Sequence, residues 1–142
     1  METPGHGLIV VDTNILAYLL IEGDYTAQAK RLLGRDTQWA APSFWRVEFL
    51  NVLMNYSRHQ NLPPADVRGI WKASFQLAQL REEAVEAGEA LELALRYKLS
   101  GYDALFAALA HSLNTVCVTQ DKAFRKALPA LTVTMDEFLE RQ

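Results

Sequence analysis

Four acidic residues occupy positions where a carboxylate has chemistry to do. Leu8-Ile9-Val10-Val11 is a short apolar, β-branched run that ends abruptly on Asp12, with Thr13 and Asn14 behind it. Such a run suits a strand buried on both faces, as in a parallel sheet, which puts Asp12 at the strand's carboxyl end. Thr115-Val116-Cys117-Val118-Thr119 repeats the pattern, and Asp121 follows it. Glu48 falls in the second turn of a predicted helix and Asp103 at the very start of another. In a βα topology the strand ends and the helix starts share one edge, where open α/β sheets bind their ligands. Four carboxylates there, with no dedicated basic partner, repel one another. A pair ~4 Å apart costs roughly 4 kcal/mol at an effective dielectric of 20, and a bound cation is the simplest relief. All four are oxygen donors, and His59 and His111 lie on separate helices with no zinc-type Cys/His spacing. The expected ion is therefore Mg²⁺ or Mn²⁺. Such ions activate a water and stabilise the charge on a phosphodiester as it is cleaved.

Taken singly, three of the acids have plain structural readings. Asp103 suits a helix cap, Glu48 a solvated helix face, and Asp121 the cap of its own short helix. Asp12 resists such a reading, because a carboxylate placed directly after a buried strand is an expensive choice.

The elements that must position them follow from the apolar pattern. Residues 13–21 read as a buried helix broken at Gly23-Asp24, and 26–33 as the next, stopped by Gly34. Residues 38–41 form a weak strand. Ser43 reads as the N-cap of a long helix over 44–58, whose polar stripe is only Glu48, Asn51, Asn55 and Arg58. Asn61-Leu62-Pro63-Pro64 breaks the chain, and 66–80 is a further amphipathic helix. An edge strand at 83–85 leads to a helix over 88–99, with Leu91, Leu95 and Leu99 on its core side and Gly101 ending it. The helix over 103–113 has no polar face between Ala104 and Ala110, so it is central and buried. A short helix at 123–128, a strand at 131–134 and a closing helix at 136–141 complete the order, and Met1 to Gly7, with His6, reads as a flexible lead-in. The βα alternation defines an α/β class with a mostly parallel sheet.

Bulk properties narrow the function. A length of 142 residues favours one domain with a real core. No apolar run reaches bilayer length, and the N-terminus lacks a basic-then-apolar signal pattern. Cys117, the only cysteine, lies in an apolar run and behaves as a small hydrophobe, which fits a cytoplasmic location. A net charge of −3 argues against a general nucleic-acid-coating protein. The acid runs at Glu82, Glu83, Glu86, Glu89 and Glu92, and at Asp136, Glu137 and Glu140, read as solvated faces that leave a more nearly neutral or basic remainder for an anionic substrate. Trp45, Trp71 and Phe75 exceed what one small core needs and predict an aromatic partner groove.

Val11-Asp12-Thr13-Asn14 after an apolar strand, Glu48 in a long helix, Asp103 opening an Ala-rich helix and Thr119-Gln120-Asp121 before a short helix resemble the PIN-domain family. The nearest likeness is to VapC-type toxins, the ribonuclease half of bacterial and archaeal toxin–antitoxin pairs. The resemblance spans the whole chain. It implies a single PIN-like nuclease domain over 1–142, of three layers with a central sheet flanked by helices. It further implies an endoribonuclease dependent on Mg²⁺ or Mn²⁺, with Asp12, Glu48, Asp103 and Asp121 holding metal and orienting the attacking water. Thr13 or Asn14, and Thr119, would support the site by hydrogen bonds. A homodimer and a small cognate antitoxin are also implied, and RNA rather than DNA rests on the resemblance alone. A phospho-accepting receiver domain would need an acidic pair after the first strand and a lysine after a late one. A haloacid-dehalogenase-type phosphatase would need an Asp where this chain has Asn14. The alternative of another class is a catalytically silent PIN-like module that only binds a partner; the presence of all four acids argues against it.

Overall fold

Three buried β-branched residues make β1 (Ile9–Val11), the middle strand of the sheet. A computed structural model describes residues 7–35 and 38–141; apart from Gly7, the expected lead-in, His6 included, lies outside the described residues. β2 (Trp39–Pro42) and β3 (Leu80–Glu83) extend the sheet on one side of β1, and β4 (Cys117–Val118) and β5 (Thr132–Val133) on the other. The order is β3-β2-β1-β4-β5 and every pairing is parallel. The chain thus builds outward from β1 in one direction, then crosses back to build in the other. That reversal opens a crevice between β1 and β4 at the carboxyl edge, the usual ligand position in such sheets.

Among the described residues there are eight α-helices, seven in the crossovers between strands and α8 after the last strand: α1 (Thr13–Leu20), α2 (Thr26–Arg35), α3 (Trp45–His59), α4 (Pro64–Ala73), α5 (Ala87–Tyr97), α6 (Gly101–Ser112), α7 (Lys122–Ala127) and α8 (Met135–Leu139). As its composition requires, α6 is buried along Ala104 and Phe106–Ala110, and it packs on β1, β2 and β4. The core gathers Ile15, Leu16, Trp39, Trp45, Phe49 and Phe124 around the sheet. No helix among the described residues is long and apolar enough to cross a membrane.

Several boundaries differ from expectation, each for a local reason. Helix α2 runs through Gly34 to Arg35. Ser43 does not cap α3; Phe44 stands at the cap without a side-chain bond, while the Ser43 hydroxyl donates to the Glu83 carbonyl and ties β2's exit to β3. The helix expected over 66–80 stops at Ala73, passes through one 3₁₀ turn (Ser74–Gln76), and yields Leu80 to β3. The edge strand therefore starts three residues earlier than its sequence signal, because pairing with β2 overrides the helical period there. Gly101 opens α6, whereas α5 ends at Lys98, which adopts φ 57°. Leu91 and Leu95 point to solvent at 57% and 68% exposure. The face of α5 that packs is its small one, with Ala90 set against Ala104 and Ala108 of α6. Glu82 is not merely solvated, since it accepts from Trp45 Nε1 (3.0 Å) and pairs with Arg46, while Glu83 pairs with Arg81 (2.8 Å). Of the three aromatics expected in a groove, Trp45 is core, Phe75 is exposed, and Trp71 alone lines a cleft of about 290 Å³ between α3 and α4.

A left-handed residue with a side chain is strained by about 1 kcal/mol or more, and glycine there is not. Lys98→Gly should stabilise the fold by about 0.5–1 kcal/mol after the entropy gained by the unfolded chain is subtracted. A higher urea midpoint at unchanged slope is the expected reading.

Candidate functional site

Asp12 ends β1 and begins α1. Its backbone is extended, and its Oδ1 accepts from the Ile15 amide at 3.1 Å, capping the helix. Its Oδ2 accepts from the Thr119 hydroxyl, which leaves the carboxyl only 7% exposed. Thr119 leaves β4 fully buried and makes a second bond, with its Oγ1 accepting from the Asp121 amide at 3.1 Å. One hydroxyl therefore joins the two strand ends. Asp121 caps α7 through Oδ1, accepting from Phe124 at 3.0 Å.

Asp103 lies in the first turn of α6, and its amide donates to Ser100, the N-cap, at 3.1 Å. The expectation that Asp103 itself opens the helix shifts by two residues, and Ser100 joins the site's support. A serine three residues ahead of an acid is a legible N-terminal signature. Glu48 stands in the first turn of α3, half-buried. Asp12 and Asp121 thus cap α1 and α7, and Glu48 and Asp103 stand in the first turns of α3 and α6, so each of these four helix starts carries an acid.

The acids feel one another. Burial pushes the Asp12 carboxyl up to about 7, with the Thr119 and Ile15 hydrogen bonds opposing and Glu48 and Asp103 adding to the rise. Burial also raises Asp103 to about 6, reinforced by Asp121 and Glu48 and tempered by the Ser100 hydroxyl. All four predicted acids therefore share one electrostatic field. Of the three predicted supporting residues, Thr119 makes its bond. Thr13 is buried with its Oγ1 unpartnered, and Asn14 is exposed.

The donor set suits a hard divalent cation. All four ligand candidates are carboxylates, and among the described residues none is ion-paired. No three of them converge tightly enough, among the described residues, to cage an ion unaided. Mg²⁺ keeps several waters and commonly takes only one or two carboxylates plus substrate phosphate, so the donor type fits it.

Residues 9–127 match the sequence profile of the PIN domain. The chain belongs to the PIN-domain family. All four acids lie within the matched span. Ribonuclease VapC3 of Pyrobaculum aerophilum is 24% identical to this PIN domain over 127 residues, 87% of this chain and 96% of that protein. The crystal structure of PAE2754, also from Pyrobaculum aerophilum, superposes with a TM-score of 0.72 at 21% identity, covering 96% of this chain and 91% of that one. A toxin–antitoxin complex from Klebsiella pneumoniae gives 0.64 at 21% identity, covering 89% and 97%. The chain is thus a distant relative of the VapC ribonuclease toxins, with the five-stranded parallel sheet of the PIN fold.

The raised Asp12 value fixes a pH dependence. The native carboxyl holds its proton more tightly than the unfolded one, whose ordinary value is 3.8. Between those two values the native state binds more protons, so this contribution to stability is full below pH 4 and is lost as pH rises through about 7. The loss is on the order of 4 kcal/mol, at ~1.4 kcal/mol per tenfold change in proton affinity. In EDTA, Asp12→Asn should flatten the fall in melting temperature between pH 5 and pH 8; an unchanged slope would place the dependence elsewhere.

Proposed function

We propose that this PIN domain is a metal-dependent endoribonuclease, the toxin of a type II toxin–antitoxin pair, using Mg²⁺ or Mn²⁺. The observation that carries the reading is the four-acid field at the β1/β4 crevice, with Asp12 and Asp103 both held at raised proton affinity. In this reading Asp12, Glu48, Asp103 and Asp121 hold the ion. When bound, the ion supplies Lewis-acid stabilisation of the phosphodiester and a more acidic water. The chain's own residues do the rest. Asp12 is fixed by the Ile15 amide and the Thr119 hydroxyl, so its carboxylate is oriented before substrate arrives. Asp103 and Glu48 are more open to solvent and can accept the proton released by the attacking water. Thr119 sets the distance between Asp12 and Asp121 by bonding to both residues. RNA as substrate is supported by the kinship with VapC ribonucleases. A small antitoxin as partner is supported by the likeness to a toxin–antitoxin complex. We carry the homodimer and the cytoplasmic location forward as part of the same proposal.

RNA should be cleaved in Mg²⁺ or Mn²⁺ and left intact in EDTA; cleavage that persists unchanged in EDTA overturns the metal mechanism. Asp12→Asn should abolish cleavage while leaving the metal-free melting temperature equal to or above wild type. The upward shift on adding Mn²⁺ should shrink, because weaker binding to the native state stabilises it less. If Asp12 served only as a helix cap, the substitution would lower both melts alike. Thr119→Val keeps the shape and removes the bridging hydroxyl. A loss of about 10–100-fold in metal affinity or activity is expected, as for supporting residues of metal sites.

A further inference from the structure

A recess of about 300 Å³, lined by none of the four acids, lies between the end of α1, the start of α2 and the last turns of α3. Three tyrosines, Tyr18, Tyr25 and Tyr56, line it, together with Glu22, Asp24 and Gln60. Tyr18 and Tyr25 form one wall, with ring centroids 4.8 Å apart and planes tilted by 33°. Tyr56 comes from α3 on another side. None of the six side chains makes a hydrogen bond or ion pair with another protein group among the described residues. Among the described residues no lysine, arginine or histidine lines the recess. Its described lining is one of aromatic faces, phenol oxygens and carboxylates without a counter-charge.

We propose that this recess is a subsite for a guanidinium group, filled by an arginine side chain of a partner protein. Aromatic faces attract a cation through the ring quadrupole, and arginine is the commoner choice. The planar guanidinium has five N–H donors and no acceptor. The recess supplies what those donors need: two carboxylates, three phenol oxygens and an amide oxygen. A nucleotide is the poorer match, because Glu22 and Asp24 line the recess and, among the described residues, no cation lines it to receive a phosphate. Lysine would gain the charge attraction but not the flat stacking against the Tyr18–Tyr25 wall. The inference goes beyond the nuclease reading and does not depend on it, because the recess is lined by residues other than the four acids, although Tyr18 lies within electrostatic reach of Asp12.

The test uses the whole chain and a binding readout rather than cleavage. Blocked tripeptides Gly-Xaa-Gly, with arginine, lysine or citrulline at the centre, are titrated against the protein while the tyrosine ring resonances are followed by NMR. Free side chains bind weakly, so the range extends to about 20 mM, where a millimolar dissociation constant is measurable. The arginine peptide should move Tyr18, Tyr25 and Tyr56 together along one saturating curve. Citrulline, which keeps the shape and loses the charge, should bind at least about 10-fold more weakly. Glu22→Gln with Asp24→Asn should weaken the arginine peptide by a similar factor, and Tyr25→Leu, at an exposed position, should do so without unfolding the chain. Equal binding of arginine and citrulline, or no saturable shift at all, overturns the proposal. A saturable shift with adenosine or guanosine monophosphate that exceeds the arginine response overturns it in favour of a nucleotide subsite.

Discussion

A carboxylate held out of water at the end of the central strand is the constraint on which this structure turns. Burying Asp12 without partners would cost several kcal/mol. The fold answers with the Ile15 amide on one oxygen and the Thr119 hydroxyl on the other. Those two bonds dictate much else. β1 must pair with β4 in the register that sets Val11 beside Val118, so that Thr119 follows next to Asp12. The order in which strands are added to the sheet must also reverse between these two parallel strands, since a crevice opens at that switch. The same two bonds do not fully offset the burial, and the carboxyl stays near neutrality in its proton affinity. A site poised in this way accepts either a proton or a cation.

The other acids are held by quite different means. Asp103 rides on a helix whose alanines allow it to lie close against β1, β2 and β4, so its position is set by backbone packing rather than by long side chains. Glu48 stands in the first turn of α3, which is pinned from outside. Trp45 Nε1 donates to Glu82 at 3.0 Å, and Arg46 pairs with Glu82 and donates to the Ser74 carbonyl at 2.6 Å. The Arg46 guanidinium also lies 4.1 Å over the Phe75 ring. Glu82, which looked in the sequence like one member of a solvated acidic run, thus fixes the turn that presents Glu48.

The central strand, the buried alanine helix and the acids after each strand were legible because each rests on a local pattern. Val11-Asp12 carries its strand end in two letters, and the apolar stretch of α6 leaves no other reading. What escaped was set by partners distant in sequence. Ser43 has every mark of an N-cap, but a strand end forty residues on supplies a carbonyl for its hydroxyl. Leu91 and Leu95 carry a core signature, yet the facing helix offers alanines, and small residues bring the two backbones together more closely. Lys98 has no sequence mark of a left-handed terminator, and the following glycine three residues on was the natural but mistaken choice. Topology alone put the four acids at one expected edge; that they raise one another's proton affinity, and that Thr119 bonds to two of these residues, needed coordinates.

The bond that joins the two strand ends spans 107 residues. β1 is made well before β4, the neighbour it pairs with. At ~5–20 residues per second, a ribosome takes roughly 5–20 s to travel between the two ends of that 107-residue bond. Until β4 is made, the edge of β1 that will receive it is unpaired, and Asp12 lacks the Thr119 hydroxyl that later donates to its Oδ2. The acidic crevice therefore comes into being only once β4 and Thr119 have been made, in a closure rather than by gradual accumulation.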